Sequence, residues 1–472
     1  MVALSQFSKL LAHHKGTRSL TAICALCLAG ALFASGQTFT SLLDFDGAKG
    51  ADPFGMVQDR QGNLIGTTSA GGRGDCGGIF RLTPTGTLPV WLGFDCTQLA
   101  RPAAGVTLGI DGSLYGTTNE GGQGNLGTVF RVNPKSGLTV LYRFDGTQGT
   151  SPAAALTLGA DENFYGTTQT GGSHGTAFKI TPLGALETLF DFDLASGQYP
   201  VVPLVQGSDL DFFGTTTVGG PNNGCGTIFR MTPTGTLSVL YTFVCNDGQR
   251  PQVSLAFGSD GNLYGTDPGG QGNVLGTIFR LSKSGQFTTL YTFDGGANGS
   301  YPVGTLVQGT DGNFYGVTGG GGASNDGTIF QMTPSGALTT LHSFSGADGV
   351  SPNAGLVQHT NGKFYGTTFN GGDLSICLHR GCGTVFSLDM GLGPFITFVL
   401  PFGRVGSGVQ ILGTGLTGAT AITFNGVLAS TFNVSSDTFM EAIVPPGATT
   451  GPVQLITPGG TLTSNVNFIV GP

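Results

Sequence analysis

One unit of about fifty residues repeats seven times along this chain, and this regularity limits the possible folds more than any other feature. A step that usually reads aromatic-Gly-Thr-Thr marks each unit with a glycine, at Gly66, Gly116, Gly166, Gly214, Gly265, Gly316 and Gly366. Prolines keep the same interval, at Pro53, Pro102, Pro152, Pro200, Pro251, Pro302 and Pro352. Phenylalanines keep it too, at Phe80, Phe130, Phe178, Phe229, Phe279, Phe330 and Phe386. A period near fifty residues is in the range of propeller blades.

Each unit predicts four short strands, which we call inner, second, third and outer in chain order. In the sixth unit they span about 305–308, 313–318, 327–333 and 337–344. The inner and second strands are separated by Asp-Gly, which favours a tight hairpin because glycine accepts positive φ. Thr-Pro-Ser-Gly joins the third and outer strands and is also a turn sequence. The chain is therefore expected to be all-β.

The two ends of the repeat region are complementary fragments. The seventh unit supplies three strands, through Phe386, and lacks an outer strand. The segment from Thr38 to Phe45 matches that outer strand and has no first three strands before it. We therefore predict a seven-bladed β-propeller over residues 37–388. Its last blade is closed by the N-terminal outer strand, which leaves no unpaired blade edge.

Residues 1–36 have the layout of a secretory signal peptide. Three cations precede an apolar run from Leu20 to Phe33, and Ala34-Ser35-Gly36 supplies small residues for cleavage. The run is short for a membrane span, and no later stretch is long enough. Removing the segment changes the formal net charge from -8 to -11, which argues against nucleic-acid binding. We expect a monomer that is secreted, periplasmic or at the cell surface, with no integral membrane segment.

Six cysteines predict three disulfides in an oxidising compartment. Two pairs, each separated by twenty residues, bracket the third strand, turn and outer strand of their unit: Cys76 with Cys96, and Cys225 with Cys245. An antiparallel hairpin brings those two ends together. Cys382 holds the same register, but its partner position is Gly47, so Cys377 is the nearest replacement. The alternative is six buried free thiols.

The fifty-residue interval disappears after a linker at 389–394. Residues 395–472 consist of short β runs split by Gly, Pro and Asn turns, which predicts a small β-sandwich. The segment resembles the IPT/TIG family of immunoglobulin-like domains through its Gly413-Thr414-Gly415-Leu416 turn, its Phe424-Asn425-Gly426 hairpin and its Val444-Pro445 step. The resemblance implies a spacer or interaction module without catalytic residues.

The repeats resemble the GloVer tandem-repeat proteins, which are secreted bacterial chains with a Gly-Thr-Val/Ile-Phe motif. The motif stands here as Gly127-Thr128-Val129-Phe130 and as Gly226-Thr227-Ile228-Phe229. The resemblance covers residues 38–388. It implies a secreted repeat protein and no settled biochemical role.

One face of the predicted propeller collects the long connections, because both kinds of tight turn lie on the opposite face. These connections are the second-to-third loops and the crossovers between blades, and they are the predicted ligand face. No cofactor is predicted, and calcium is the metal that the repeated carboxylates of this face would suit. The alternative is that each aspartate accepts hydrogen bonds from its own turn. The aspartates are Asp46, Asp95, Asp145, Asp193 and Asp294.

Two further sets of residues are candidates for the channel. His359 replaces the glycine found at the same inner-strand position in units two to six, and it either reaches the channel or fills a structural position. Inner-strand glutamines are candidates to line the channel or to bind water there: Gln58, Gln206, Gln308 and Gln358. No spaced histidine motif and no selectable carboxylate pair predicts catalytic residues.

The favoured function is a noncatalytic binding scaffold, secreted or at the cell surface, for a glycan, a polymer or a surface protein. The alternatives are a carbohydrate-active hydrolase or lyase, and a purely structural surface protein.

Overall fold

The computed structural model describes residues 37–221, 224–244, 252, 255–269 and 275–471. The signal-like segment 1–36 and Cys245 lie outside these residues. The regular structure described consists of strands and two three-residue 3₁₀ segments, Gln123–Asn125 and Cys377–His379. The predicted all-β class is confirmed.

Repeated four-stranded sheets occupy most of the chain. The first strand is β1 (Thr38–Asp44). Sheet 1 contains β2 (Ala51–Gln58), β3 (Leu64–Ala70), β4 (Gly78–Leu82) and β5 (Val90–Gly93). Sheet 2 contains β6 (Thr107–Leu108), β7 (Leu114–Thr118), β8 (Thr128–Asn133) and β9 (Gly137–Arg143). Sheet 3 contains β10 (Thr157–Leu158), β11 (Phe164–Thr168), β12 (Thr176–Ile180) and β13 (Leu186–Asp191).

The later units give the same pattern. Sheet 4 contains β14 (Val205–Gln206), β15 (Phe212–Thr216), β16 (Thr227–Met231) and β17 (Leu237–Thr242). Sheet 5 contains β18 (Ala256–Phe257), β19 (Leu263–Asp267), β20 (Thr277–Leu281) and β21 (Phe287–Thr292). Sheet 6 contains β22 (Ser300–Gln308), β23 (Phe314–Gly320), β24 (Thr328–Met332) and β25 (Leu338–Ser343). Sheet 7 contains β26 (Val350–Pro352), β27 (Val357–Gln358), β28 (Phe364–Asn370), β29 (Thr384–Asp389) and, at its outer edge, β1.

The glycine and phenylalanine that mark each unit are cross-strand partners. Gly116 lies opposite Phe130, and Gly316 lies opposite Phe330. A Cβ atom at either glycine would come within 2.5 Å of the phenylalanine ring. The second strand therefore needs glycine because the third-strand ring covers its backbone.

The marker prolines connect neighbouring sheets. The Cδ atom of Pro152 would lie 2.6 Å from a Cβ at Gly127 of the preceding sheet, and Pro352 has the same relation to Gly327 at 2.8 Å. Both glycines have positive φ, so the site excludes an ordinary side chain for two reasons. The repeated Gly, Pro and Phe thus record packing within and between sheets.

The hydrophobic core lies between successive sheets. One cluster joins Tyr115 and Phe144 of sheet 2 to Phe164 and Phe178 of sheet 3, and all four side chains are at most 1% exposed. Similar clusters join the later sheets in turn. Fully burying one such aromatic side chain contributes about 2 to 3 kcal/mol. Each sheet is thus stabilised mainly by its neighbours.

The first and last units meet as their sequences predict. β1 pairs antiparallel with β29, from Thr38 opposite Asp389 to Asp44 opposite Thr384. A core cluster contains Phe45, which follows β1, together with Phe80 of sheet 1 and Val385 of sheet 7. The prediction that the N-terminal segment supplies the outer strand of the last unit is confirmed at the level of strand pairing.

Residues 395–471 form a separate unit, which we call the C-terminal module. One of its sheets contains β30 (Thr397–Phe398), β32 (Gly408–Leu412), β36 (Phe439–Ile443) and β35 (Phe432–Ser436), and the other contains β34 (Val427–Leu428), β33 (Ala421–Phe424), β37 (Val453–Thr457) and β38 (Gly460–Thr463). A parallel pair is formed by β31 (Phe402–Arg404) and β39 (Ile469–Gly471). Buried side chains of both sheets, such as Ile411 and Leu455, share one core.

Candidate functional site

The five predicted aspartates accept hydrogen bonds from the crossover that follows each of them. Each bond runs from a backbone N–H two or three residues later to the Oδ1 atom: Lys49 to Asp46 at 2.8 Å, Gln98 to Asp95 at 2.8 Å, Thr147 to Asp145 at 3.0 Å, Ser196 to Asp193 at 2.7 Å and Gly296 to Asp294 at 3.0 Å. The backbone N–H and hydroxyl of Ser196 hold the pKa of Asp193 below its usual range. These carboxylates therefore stabilise crossovers, as the structural alternative expects.

The four predicted glutamines join each inner strand to the preceding sheet. The Oε1 atom accepts a backbone N–H from the inner turn of that sheet: Ala160 to Gln206 at 2.9 Å, Ser259 to Gln308 at 2.7 Å, Thr310 to Gln358 at 3.1 Å and Thr360 to Gln58 at 3.0 Å. The last bond connects sheet 7 to sheet 1. The glutamine side chains thus form hydrogen bonds between neighbouring sheets, and the bond of Gln58 links the last sheet to the first.

His359 is buried and holds a turn against sheet 1. The residue is 2% exposed. Its Nε2 atom lies 3.0 Å from the carbonyl oxygen of Gly62, and its Nδ1 atom accepts a hydrogen bond from the backbone N–H of Asn361 at 3.0 Å. Because one nitrogen accepts and the other faces a carbonyl, the ring is neutral with its proton on Nε2. Burial lowers its pKa, which agrees with this assignment. His359 is therefore a structural residue.

Two of the predicted disulfides are present. Cys76 bonds to Cys96 and Cys377 to Cys382, each with Cα atoms 5.4 Å apart. A Cβ at Gly47 would lie 3.3 Å from the sulfur of Cys377, so Cys377 does occupy the place next to the missing partner position. The predicted bond between Cys225 and Cys245 involves a residue outside the described ranges.

The C-terminal module covers part of the face that carries the tight turns, which we call the short-turn face. Arg60, in the inner turn of sheet 1, donates to the side-chain oxygen of Gln410 at 2.7 Å. Its guanidinium lies 4.7 Å from the centre of the Phe439 ring. Gln410 donates to the carbonyl of Ile110 at 2.8 Å, and the Thr438 hydroxyl donates to the carbonyl of Arg60 at 2.8 Å. Polar contacts thus dock the module on sheets 1 and 2.

Apolar contacts extend this interface at positions where the inner-strand glutamine is replaced. Leu108 of sheet 2 packs against Leu412 and Phe439. Leu158 of sheet 3 belongs to a cluster that also includes Leu400, just after β30. The replacements of glutamine by leucine in sheets 2 and 3 therefore lie where the module contacts the repeats.

The opposite, long-loop face carries a set of residues that sequence reasoning missed. The residue before each marker proline has positive φ, between 51° and 56°, in every described case. We call these residues the pre-proline set: Asp52, Arg101, Ser151, Tyr199, Tyr301 and Ser351. Arg250 holds this position in the sequence of the fifth unit and lies outside the described ranges. None of the set is glycine, although glycine accepts positive φ at the lowest cost.

The backbone of the pre-proline set is fixed in the same way in each sheet. Each N–H donates to the carbonyl of the residue before the motif glycine of the preceding sheet: Asp52 to Cys382, Arg101 to Cys76, Ser151 to Leu126, Tyr199 to His174, Tyr301 to Leu275 and Ser351 to Asp326, at 2.7 to 3.0 Å. The following proline is buried. These residues lie at the end of each crossover, at or before the start of the inner strand, so the set belongs to the long-loop side of the sheets.

The side chains of the pre-proline set differ while their backbone stays constant. Arg101 pairs with Glu120 at 3.6 Å across an exposed surface. The ring of Tyr199 meets His174 edge-on, with centroids 6.3 Å apart, and Tyr301 is 48% exposed. Burial raises the pKa of Asp52, Arg380 opposes that effect, and Asp75 adds to it. The sequence signal was a position of variable chemistry inside an otherwise regular unit.

The sequence of the chain matches the model of one protein family, the Gloeobacter/Verrucomicrobia repeat, over residues 52–256 and 222–438. These two overlapping matches cover well over half of the chain. The chain belongs to the Gloeobacter/Verrucomicrobia repeat family. No curated protein matches this member of the family in sequence.

Several solved structures are similar to this Gloeobacter/Verrucomicrobia repeat protein at low sequence identity. A fungal alcohol oxidase of the AA5 family, in complex with copper, is 14% identical with a TM-score of 0.53, and the match covers 92% of this chain and 99% of that chain. A luciferin-regenerating enzyme is 11% identical with a TM-score of 0.44, over 76% and 98% of the two chains. A gluconolactonase from Xanthomonas campestris is 12% identical with a TM-score of 0.40, over 76% and 92%. The first similarity supports the fold alone.

The described residues of this repeat protein contain no group of three or more His, Cys, Asp or Glu side chains arranged to hold a metal ion. His359, the most buried histidine, has both ring nitrogens engaged by Gly62 and Asn361. Within the same residues, no helix is long and apolar enough to cross a membrane.

Proposed function

We propose that this protein is a secreted, noncatalytic binding scaffold that holds a glycan, a polymer or a surface protein on its long-loop face. The observation that carries the proposal is the pre-proline set, where one fixed backbone conformation presents different side chains. Surfaces of this kind, with a rigid framework and variable polar and aromatic side chains, are typical of recognition sites.

The scaffold in this proposal is a seven-bladed β-propeller closed by β1. Three observations support it: the succession of four-stranded sheets, the pairing of β1 with β29, and the hydrogen bond from Thr360 to Gln58 between sheets 7 and 1. The similarity to the oxidase fold, at a TM-score of 0.53, agrees with it.

The C-terminal module in this proposal is an immunoglobulin-like sandwich that acts as a fixed base. Two sheets around one core, and the IPT/TIG-like turns, favour this interpretation. Because the module contacts the short-turn face through Arg60 and Phe439, it leaves the long-loop face as the exposed side for a ligand.

Secretion is supported by the cysteines. Both described disulfides lie in long-loop connections, where thiols in a reducing compartment would remain unpaired. The signal-like layout of residues 1–36 agrees with export. We further propose that the mature protein is a monomer, since β1 pairs with the edge that would otherwise be open.

A carbohydrate-active hydrolase or lyase is the second candidate, and one observation favours it. Asp52 lies in the pre-proline set, and its pKa is raised by burial and by the neighbouring charge of Asp75. A carboxylic acid with a raised pKa beside a second carboxylate is the arrangement that glycoside hydrolysis uses.

The test is an array of glycans, polysaccharides and surface proteins probed with residues 37–472, together with analysis of any products. The binding scaffold predicts retention of one ligand class without new products, and K135A, in an exposed turn on the short-turn face, should bind like the native chain. Product formation that D52N abolishes would favour the hydrolase. Absence of binding and of products would contradict both and leave the purely structural role.

A further inference from the structure

Two tyrosines of the pre-proline set are exceptional among the ten tyrosines of the chain. The hydroxyls of Tyr199 and Tyr301 have no hydrogen-bond partner among the described residues. Seven others are bonded through the hydroxyl: Tyr115 to Asp111, Tyr165 to Asp161, Tyr264 to Asp260, Tyr315 to Asp311, Tyr365 to Asn361, Tyr142 to Gln148 and Tyr291 to Asn298. Tyr241 stacks on Phe287 with ring centroids 4.2 Å apart. The fold therefore uses the other tyrosines and leaves these two available.

The backbone holds both tyrosines in place without using their side chains. Their φ values are 55° and 56°, and their N–H groups donate to His174 and Leu275 at 3.0 Å and 2.7 Å. Each is followed by a buried proline, whose ring further restricts the chain. A residue fixed in this way loses little additional backbone entropy when a ligand binds.

Both tyrosines are at least partly exposed, Tyr301 more than Tyr199. Tyr301 lies beside Gly320, where a Cβ would approach its ring to 3.3 Å, and glycine is the residue that leaves this side of the ring uncovered. Tyr199 is half-buried, and its ring lies at 78° to the ring of His174, with centroids 6.3 Å apart. The two residues belong to sheets 4 and 6, on either side of sheet 5.

The described cations of the long-loop face are distributed unevenly, whereas crossover carboxylates occur on both sides of it. The described cations in the long-loop connections and at the strand ends beside them belong to sheets 1, 2 and 7: Lys49, Arg73, Arg101, Arg143 and Arg380. In sheets 4 and 6 the described crossovers carry the carboxylates Asp193 and Asp294. Among the described residues, these carboxylates would repel an anionic polymer near Tyr199 and Tyr301, and no described long-loop cation of sheets 4 and 6 offsets them. Arg250, which precedes Pro251 in the sequence of the fifth unit, lies outside the described ranges.

We propose that Tyr199 and Tyr301 are two aromatic platforms for sugar rings of a neutral glycan chain. This inference rests on the proposed binding function and names its ligand class and contact residues. The apolar face of a tyrosine ring packs against the C–H face of a sugar, and the free hydroxyl remains to exchange hydrogen bonds with sugar hydroxyls.

The experiment measures affinity for soluble neutral β-glucan, xylan and mannan, with alginate as the anionic comparison. Y199A and Y301A are each expected to weaken binding of the neutral glycan by about tenfold, the equivalent of about 1.4 kcal/mol. Y199F and Y301F keep the aromatic face and should stay within about threefold of the native affinity. K135A, in an exposed turn on the opposite, short-turn face, is the control and should bind neutral glycans as the native chain does.

A second measurement uses the native protein, so it does not depend on the folding of a variant. Tyrosine nitration followed by peptide mass spectrometry should modify Tyr199 and Tyr301 first, and the neutral glycan should protect both. Native affinity in Y199A and Y301A, or nitration unchanged by bound glycan, would overturn the inference. Binding of alginate or of a surface protein alone would reject the neutral glycan but keep the scaffold, whereas absence of all binding would reject the proposed function itself.

Discussion

The two faces of the repeat region both depart from the regular unit, but with different consequences. On the short-turn face, Arg60, Leu108 and Leu158 differ from their equivalents in other units, and each contacts the C-terminal module or lies in a cluster with it. On the long-loop face, Tyr199 and Tyr301 differ from their equivalents, and their hydroxyls form no hydrogen bond with the described residues. Irregular residues in a repeat protein thus divide into those that an internal partner explains and those that await an external one.

Removing β1 is expected to have the largest effect of all on the stability of the protein, and it would affect both faces. Deletion of residues 37–47 would expose the β29 edge and remove Phe45 from a core cluster, together with the stacking of Phe39 on His342 at 3.7 Å. We expect loss of the cooperative melting transition or formation of oligomers, measured by calorimetry and by light scattering after size-exclusion chromatography.

The control for this deletion is T40A, an exposed substitution in the same strand, which should melt like the native chain. An unchanged, monomeric melting profile after deletion would contradict ring closure by β1.

R60A is expected to have the next largest effect, confined to the short-turn face. It removes the hydrogen bonds to Gln410 and to the carbonyl of Ile110 and the cation–π contact with Phe439. The loss should weaken docking of the C-terminal module by about 2 kcal/mol. Limited proteolysis should then cleave the linker 389–394 faster, whereas K135A should leave the cleavage rate unchanged. Equal rates in both variants would show that the docking depends on other contacts.

Protonation of His359, on the same face, is expected to make the free energy of unfolding depend on pH. Burial lowers its pKa in the folded state below the ordinary value of 6.5, so the unfolded chain binds a proton more readily. The stabilising contribution is therefore complete above that ordinary value and is lost as pH falls toward the folded pKa. The loss is at most about 1.4 kcal/mol per pH unit for one proton.

The measurement compares unfolding free energies of the native chain and H359Q between neutral and mildly acidic pH. The variant lacks the titrating ring, so its stability should fall less steeply below the ordinary histidine pKa. Parallel curves would contradict a neutral buried imidazole at this position.

Much of the fold was predictable because the same packing solution recurs. Gly116 and Phe130 keep one register since the ring covers the glycine, and Pro152 follows from its contact with Gly127. Cys76 and Cys96 were paired correctly because hairpin geometry fixes which ends meet. Strand register and disulfide pairing within a hairpin can therefore be predicted from the spacing of residues in the sequence.

The contacts of the C-terminal module and the pre-proline set were not predictable in the same way. Nothing in the sequence around Arg60 shows that Gln410, 350 residues later, and Phe439, still further along the chain, lie beside it. The positive φ of Tyr199 and Tyr301 was also hidden, because residues before proline usually adopt extended conformations. Tertiary contacts determine both the docking of the module and the positive φ of the pre-proline set. The sequence shows only that the side chains at these positions vary between units.

The prediction with the smallest expected effect asks whether non-glycine residues at positive φ on the long-loop face lower the free energy of unfolding. A non-glycine residue at φ near 56° costs roughly 1 kcal/mol of backbone strain, and glycine relieves it at some cost in unfolded-state entropy. Y301G should therefore leave the free energy of unfolding unchanged or raise it by up to about 1 kcal/mol. G312A, at φ 82° with no heavy atom within 4 Å of its added Cβ, should lower it by about 1 kcal/mol, since only the strain changes. If Y301G instead destabilises the protein by more than G312A does, Tyr301 serves the fold and the contrast between the two faces fails at that residue. If stability holds while glycan affinity is lost, the tyrosine is retained against the preference of the backbone, which is the signature of a binding residue.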